Sequence, residues 1–387
     1  MDFSLKDHQK LIRETVRQFM ETEMRPLVKE NDRLARYPEA QIRKLGEMGC
    51  CGMLVPEEWS GAGMDTVSYV LMLEEVGRVD ASTAVTLSVT NSAVNLPLLA
   101  FGTPAQKKKY LTRLASGEII GAFSLTEAQA GSDAAAIQAT AVRQGNVYKL
   151  NGTKTWVTSG DHVGMYLVFA KTDAQAGGKG ISAFLVEPGF PGFRVGRHEE
   201  KMGQRASPAT EIILTDCVVP AENLLGEEGQ GLKIALSALD GGRLGIAALS
   251  VGIAQGALEE SVKHAKQRRA FGKTIGEFQA IQWMLADMQT EIEAARGLTH
   301  YAAWLKDSGG RMGSQASRAK LYASEMVNRV VYKAVQIHGS IGYSREMDVE
   351  RMYRDARVVS IYEGTSEIQR IIIARDLLEK SGTQGRD

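Results

Sequence analysis

Residues 147–152 read Val-Tyr-Lys-Leu-Asn-Gly, an alternating run that enters a turn. Alternation with a period of two predicts a β-strand. Residues 165–171, 180–187 and 209–216 are further short runs rich in β-branched or aromatic residues. Gly, Pro, Asp or Asn bounds each of them, as expected of strands. No helical pattern separates these runs. They therefore predict an antiparallel sheet or small barrel rather than a βαβ unit.

On either side the texture is helical. Ser4 and Asp7 have the spacing of a capping box. After them Leu5, Leu11, Ile12, Val16, Phe19 and Met20 form an apolar face up to Pro26. Further helices are predicted over 39–48, 66–78, 82–99 and 105–114, with a Pro- and Gly-rich loop at 55–64. Beyond residue 229 the helices lengthen. Phe278, Ile281, Leu285, Met288, Ile292, Ala295, Leu298, Ala302 and Leu305 recur every three or four residues. Helices of that length need neighbours, which a four-helix bundle supplies. Three domains are expected: helical over 1–120, β over 121–226, and a C-terminal four-helix bundle over 227–387.

Lys plus Arg equals Asp plus Glu at 46 each, and this neutrality favours neither nucleic acid nor an anionic membrane. No run approaches a membrane span. Cys50, Cys51 and Cys217 have no metal-like or redox spacing and read as buried free thiols. The odd count and the absence of a leader fit a reducing cytoplasm, or a mitochondrial matrix if a transit peptide has been removed. The polar stretch 381–387 is expected to fray.

Glu363 stands at a break between two helical patterns, between Tyr362 and Gly364, with Ser366 placed to cap the second helix. A carboxylate at such a break can act as a general base. The alternative is an ordinary acidic residue near a helix N-terminus. Asp240-Gly241-Gly242-Arg243 interrupts a helical pattern, and each glycine costs a helix roughly 1 kcal/mol. Close approach of a ligand would account for them. Trp156 in a strand is a core residue or a cofactor wall. Arg268 is a solvated helix end or an anion partner.

Four stretches, in order, resemble the acyl-CoA dehydrogenase family over almost the whole chain. They are Phe123-Ser-Leu-Thr-Glu-Ala-Gln-Ala-Gly-Ser-Asp133, Trp156-Val157-Thr158, Arg268-Arg-Ala-Phe-Gly272 with Phe278-Gln279, and Tyr362-Glu-Gly-Thr-Ser-Glu-Ile-Gln369. The resemblance implies a mainly α fold: a helical N-terminal domain, a central antiparallel β domain and a C-terminal four-helix bundle. It implies FAD as cofactor. Phe123, Leu125, Thr126, Ser132, Trp156, Val157, Thr158, Thr365 and Glu367 would meet FAD. Arg268, Phe271, Gln279, Gln336, Gly339 and Ser340 would meet the FAD of a neighbouring subunit in a homotetramer built as a dimer of dimers. Ser132, Asp240, Arg243, Tyr362 and Gly364 would hold the acyl-CoA. Glu363 would take the α-proton, and the hydride would pass to flavin N5. Relatives that carry the base at position 242 lack it at 363; this chain has Gly242 and Glu363. The family often has Pro where this chain has Ala128, and Gly where it has Ser340. The resemblance further implies an electron-transferring flavoprotein as acceptor. The reaction implied is oxidation of the Cα–Cβ bond of a short- or medium-chain, or branched, acyl-CoA to the trans-2-enoyl-CoA; Asp240–Arg243 and residues 88–92 look most like short-chain members. The competing readings are a flavin-dependent oxidase or monooxygenase on the same fold, and a non-catalytic acyl-CoA-binding relative.

Overall fold

The computed structural model describes residues 4–381. The leader reading at residues 1–3 and the fraying expected of 382–387 lie outside them.

The chain opens with α1 (Asp7–Phe19), α2 (Arg25–Leu34) and α3 (Glu39–Glu47). Lys6 caps α1, with the Gln9 side chain reaching back to its N–H at 3.0 Å, so the box expected at Ser4 is displaced by two residues. Pro26 does not end this helix. A π-helical turn over Met20–Met24 precedes it, and Pro26 falls in the first turn of α2, where its missing N–H costs little. Next come α4 (Thr66–Val79), α5 (Ala81–Ser88), α6 (Leu96–Phe101), α7 (Pro104–Gln106) and α8 (Thr112–Ala115). A second π-helical turn, Val89–Asn95, joins α5 to α6 in one buried rod.

The sheet comprises β1 (Gly121–Ser124), β2 (Thr140–Gln144), β3 (Val147–Thr158), β4 (Met165–Lys171), β5 (Ile181–Val186), β6 (Phe193–His198), β7 (Ala209–Pro220) and β8 (Leu224–Leu225). Its order is β6-β7-β3-β2-β4-β5-β8, with β1 beside β4. The antiparallel expectation needs correcting at β4: β1 pairs with it in parallel from Gly121↔Met165 to Ser124↔Val168, and β2 meets it in parallel at Thr140↔Lys171. The chain reaches β4 from β1 through the β2–β3 hairpin, long enough for a parallel return.

A single helix, α9 (Gly231–Gln267), then runs 37 residues without a break. A small hairpin, β9 (Arg269–Ala270) and β10 (Lys273–Thr274), leads to α10 (Gln279–Asp307). The helices α11 (Gly313–His338), α12 (Asp348–Ala356) and α13 (Ser366–Ser381) complete the chain. α9 packs against α4, α10 and α11, and α11 against α10, α12 and α13. Asp240–Arg243 therefore does not interrupt a helix. Small residues let neighbours close in: a Cβ on Gly252 would lie 2.3 Å from the Glu74 carbonyl oxygen of α4. Here tertiary packing outweighs glycine's poor helix propensity. The expectation about membrane spans also needs correcting. Residues Ala81–Phe101 and Gly231–Gln267 are long and apolar enough for one, but 78% of each apolar window is buried inside the protein. Their composition is that of core helices. The three cysteines are buried and unbridged.

Candidate active site

The loop that follows β1 is built on a buried ion pair. Inward-facing residues of β3 alternate, and Lys154 falls on the inward face with Tyr148 and Leu150. Its ammonium lies 2.7 Å from Glu127 Oε1 and donates to the Leu125 carbonyl at 3.1 Å. Glu127 also accepts from the Gln138 and Ala139 amides at 2.6 and 3.0 Å. Burial pushes the Lys154 ammonium down to about 8, against the pull of Glu127. Burial opposes the charge on Glu127, yet Lys154 and the two amides hold its carboxyl below the usual range.

This frame sets the candidate cofactor residues in unequal positions. Phe123 is half-buried against Phe169, ring centroids 5.0 Å apart, while Leu125 and Val157 are buried. The side chains of Leu125 and Val157 serve the core, so their backbone groups are what they can offer a ligand, while Phe123 keeps part of its ring exposed. Thr126 and Thr158 are half-buried, and Ser132 is exposed. Trp156 is not core. Register shifts between Lys154 and Val157, its φ is +59°, and its indole is 58% exposed. The Thr155 N–H donates to the Thr126 carbonyl at 2.9 Å and ties the loop to the strand beside that indole. A free aromatic face with neighbouring hydroxyls and amides fits a planar ring that has a hydrogen-bonding edge.

From there a polar relay reaches Tyr362. Ser159 Oγ lies 3.2 Å from Thr86 Oγ1, which lies 3.4 Å from Ser207 Oγ. Nearby, Gln204 donates to the Asp355 carbonyl and the Tyr362 hydroxyl, each at 3.1 Å. Gln204 was not singled out in the sequence, where a polar loop residue carries no signal.

Glu363 occupies a left-handed turn, with φ +54° there and +88° at Gly364. Two such residues in succession suit Gly364 but strain Glu363. Ser366 is not the cap. Thr365 Oγ1 accepts from the Ile368 N–H at 3.3 Å, and Ser366 is the first helical residue. The Glu363 side chain points at α9. A Cβ on Gly242 would lie 2.4 Å from its Oε2, so that glycine makes the room the carboxyl occupies. Oε2 is fully buried with no hydrogen-bond partner. Burial raises the Glu363 pKa to about 7, although the positive charges of Arg243 and Lys320 oppose the rise. Arg243 is buried, pairs with Asp240 at 2.6 Å and leaves its Nε unpartnered. Burial raises the Asp240 carboxyl too. Glu367 is exposed in the first turn of α13.

The remaining candidates gather elsewhere. Arg268 caps the far end of α9, and from Arg243 to Arg268 the helix rises about 37 Å, at about 1.5 Å per residue. Phe271 and Gly272 form the left-handed tip of the β9–β10 hairpin, and Phe271 is 94% exposed. Gln279 opens α10. His264 stacks on His338, centroids 4.3 Å apart, which brings Gln336, Gly339 and Ser340 to this same end. The chain thus carries two separate clusters.

Family models for the acyl-CoA dehydrogenase N-terminal, middle and C-terminal domains match residues 6–118, 122–217 and 229–378. The short-chain specific acyl-CoA dehydrogenase of Clostridium acetobutylicum is 45% identical over 374 residues, 97% of this chain and 99% of that one. The structure of butyryl-CoA dehydrogenase from Megasphaera elsdenii superposes with a TM-score of 0.96 at 44% identity, covering 98% of this chain and all of that one. A chain in the structure of the electron transferring flavoprotein of Acidaminococcus fermentans gives a TM-score of 0.97 at 48% identity, covering 98% of this chain and all of that one. With all three domain models in order over nearly its full length, this chain belongs to the acyl-CoA dehydrogenase family.

Proposed function

We propose that the protein oxidises the Cα–Cβ bond of a short acyl-CoA to the trans-2-enoyl-CoA, with FAD as cofactor and Glu363 as the α-proton acceptor. The observation that carries this reading is the carboxyl of half-buried Glu363: its Oε2 is enclosed, unpartnered and seated against Gly242. A base enclosed this way titrates near neutrality, where proton abstraction is most efficient.

FAD, when bound, supplies the acceptor for the β-hydride. Trp156, Thr126 and Thr158 would hold its ring system, with backbone groups of Phe123, Leu125 and Val157 and with Ser132, Thr365 and Glu367 beside it. On the protein side, Glu363 takes the α-proton at its carboxylate, and its own N–H polarises the thioester carbonyl. Such a donor acts on charge that develops in the transition state. Tyr362 and Gly364 shape the space around the thioester. Ser132, Asp240 and Arg243 would face the CoA portion.

A floor of polar side chains supports a short acyl group. One turn along α9 from Gly242, a Cβ on Gly245 would lie 2.2 Å from Ser88 Oγ and 2.6 Å from the Tyr69 hydroxyl. Ser88, Ser92 and Tyr69 are all buried. The relative from C. acetobutylicum is itself named as short-chain specific. Anaerobic titration with a series of acyl-CoAs tests this. Flavin absorbance should bleach most readily with butyryl-CoA and progressively less with longer chains. Bleaching that is greatest with long chains would overturn the short-chain reading, and none with any chain would overturn the activity.

The distal cluster of Arg268, Phe271, Gln279, Gln336, Gly339 and Ser340 supports a cofactor site shared between subunits of a homotetramer. A guanidinium fork suits the FAD pyrophosphate. Arg268→Ala should lose FAD on gel filtration and loosen the oligomer together. A colourless variant that stays fully assembled would count against a shared site. The match to a chain in the A. fermentans structure supports an electron-transferring flavoprotein as the acceptor.

A further inference from the structure

We propose that Lys320, which belongs to none of the motifs, is a positioning residue for proton transfer at Glu363: it pins the Gly364 carbonyl and places a positive charge behind the turn that carries the base. This rests on the reading of Glu363 as the base.

Lys320 lies on α11 with its side chain 0% exposed. Its ammonium donates to the Gly364 carbonyl at 2.8 Å. The same oxygen accepts from Gln369 Nε2 at 2.8 Å, and that amide also reaches the Glu363 carbonyl at 3.3 Å. Two helices, α11 and α13, thus grip a left-handed turn from its inner side. A methionine would fill the slot without losing hydration, so an ammonium is a costly filler. Its charge is what distinguishes it. The charged groups around it are Glu363 on the turn, Arg243 on α9, Glu367 on α13 and Glu325 on α11 itself. Lys320 and Arg243 both favour the ionised form of Glu363, the form that can accept a proton. Removing one of them leaves the enclosed carboxylate less compensated, and its titration moves to higher pH.

The test uses FAD-loaded Lys320→Met and Lys320→Gln, with flavin reduction by butyryl-CoA followed anaerobically against pH. In both variants the acidic limb of the rate profile should move up by about one pH unit, which is about tenfold in rate on that limb. The plateau rate should fall about tenfold further in Lys320→Met and recover in part in Lys320→Gln, which can still donate to the Gly364 carbonyl. KM should stay within about twofold, since the turn's position governs chemistry more than CoA binding. A limb at the wild-type pH in fully flavinated Lys320→Gln would overturn the proposal, as would a rate loss that only tracks lost flavin. If the Met variant does not fold, the limb of the Gln variant decides. Should Glu363→Gln still reduce flavin, the base reading itself fails. A wild-type limb in Lys320→Gln alongside an inert Glu363→Gln defeats only the role of Lys320.

Discussion

Glu363→Gln should keep the yellow FAD complex and lose substrate-dependent flavin bleaching by on the order of 10⁴-fold, the upper range for a positioned base. Retained bleaching would defeat the assignment. The wild-type rate should fall below pH 7 as the carboxyl, raised to about 7 by burial, takes its proton before substrate arrives. Stability supplies an independent readout. The folded carboxyl binds its proton more tightly than the unfolded one, which has the ordinary value of 4.5. Its stabilising contribution is therefore complete below about pH 4.5 and disappears as pH rises through about 7. Gln mimics the protonated form. The variant should match the wild type near pH 4.5 and exceed it at pH 8, with the interval between the two pKa values bounding the gain at about 3 kcal/mol. Thermal melts of both proteins at the two pH values measure it, and equal melts at pH 8 would contradict the enclosed carboxylate.

Lys154→Met should cost the holoenzyme roughly 3–5 kcal/mol, because it leaves the Glu127 carboxylate buried without its cation. The loop from Leu125 to Ala139 hangs on that pair, so FAD content should fall with stability. Adding Glu127→Gln to Lys154→Met should restore part of the loss, since the amide carries no buried charge and its oxygen can still accept from one of the two N–H groups of Gln138 and Ala139. Denaturant melts of the two single variants and the double one form a cycle that isolates the pair. A Lys154→Met loss under about 1 kcal/mol would show that the frame does not depend on it.

Much of this was legible in the sequence. β4 follows directly from the apolar, β-branched and aromatic run 165–171, and α10 from its apolar period. The strand β1 leading into the Phe123–Asp133 turn is legible, but its parallel pairing is not, because four residues carry no period and the choice of neighbour is tertiary. β6 was missed because Phe-Arg-Val-Gly-Arg-His sits half-exposed at the sheet edge, where burial imposes little pattern. The glycines at 241 and 242 were read as a break because intrinsic propensity was weighed without the neighbours that fill their space. Glu363 was legible as a candidate base, but its backbone conformation and its contact with Gly242 were not. Lys154 and Lys320 did leave a trace. Lys154 shares the inward parity of Tyr148 and Leu150, and Lys320 interrupts the small apolar stripe of Ala316, Ala323 and Val327. A cation on a core face asks for a partner, and in both places the fold supplies one.

The π-helical turn at Val89–Asn95 holds one more residue than an α-helix would need to cover the same axial distance. Deleting a residue there could restore regular α-helix while leaving Leu96 onward nearly in place, whereas a deletion in a plain helix rotates everything beyond it by about 100°. The wall that holds Ser88 and Ser92 can therefore be re-cut by a change in chain length as well as by substitution. Indels, normally confined to loops, become a route by which the acyl chain this scaffold accepts could drift without disturbing its core.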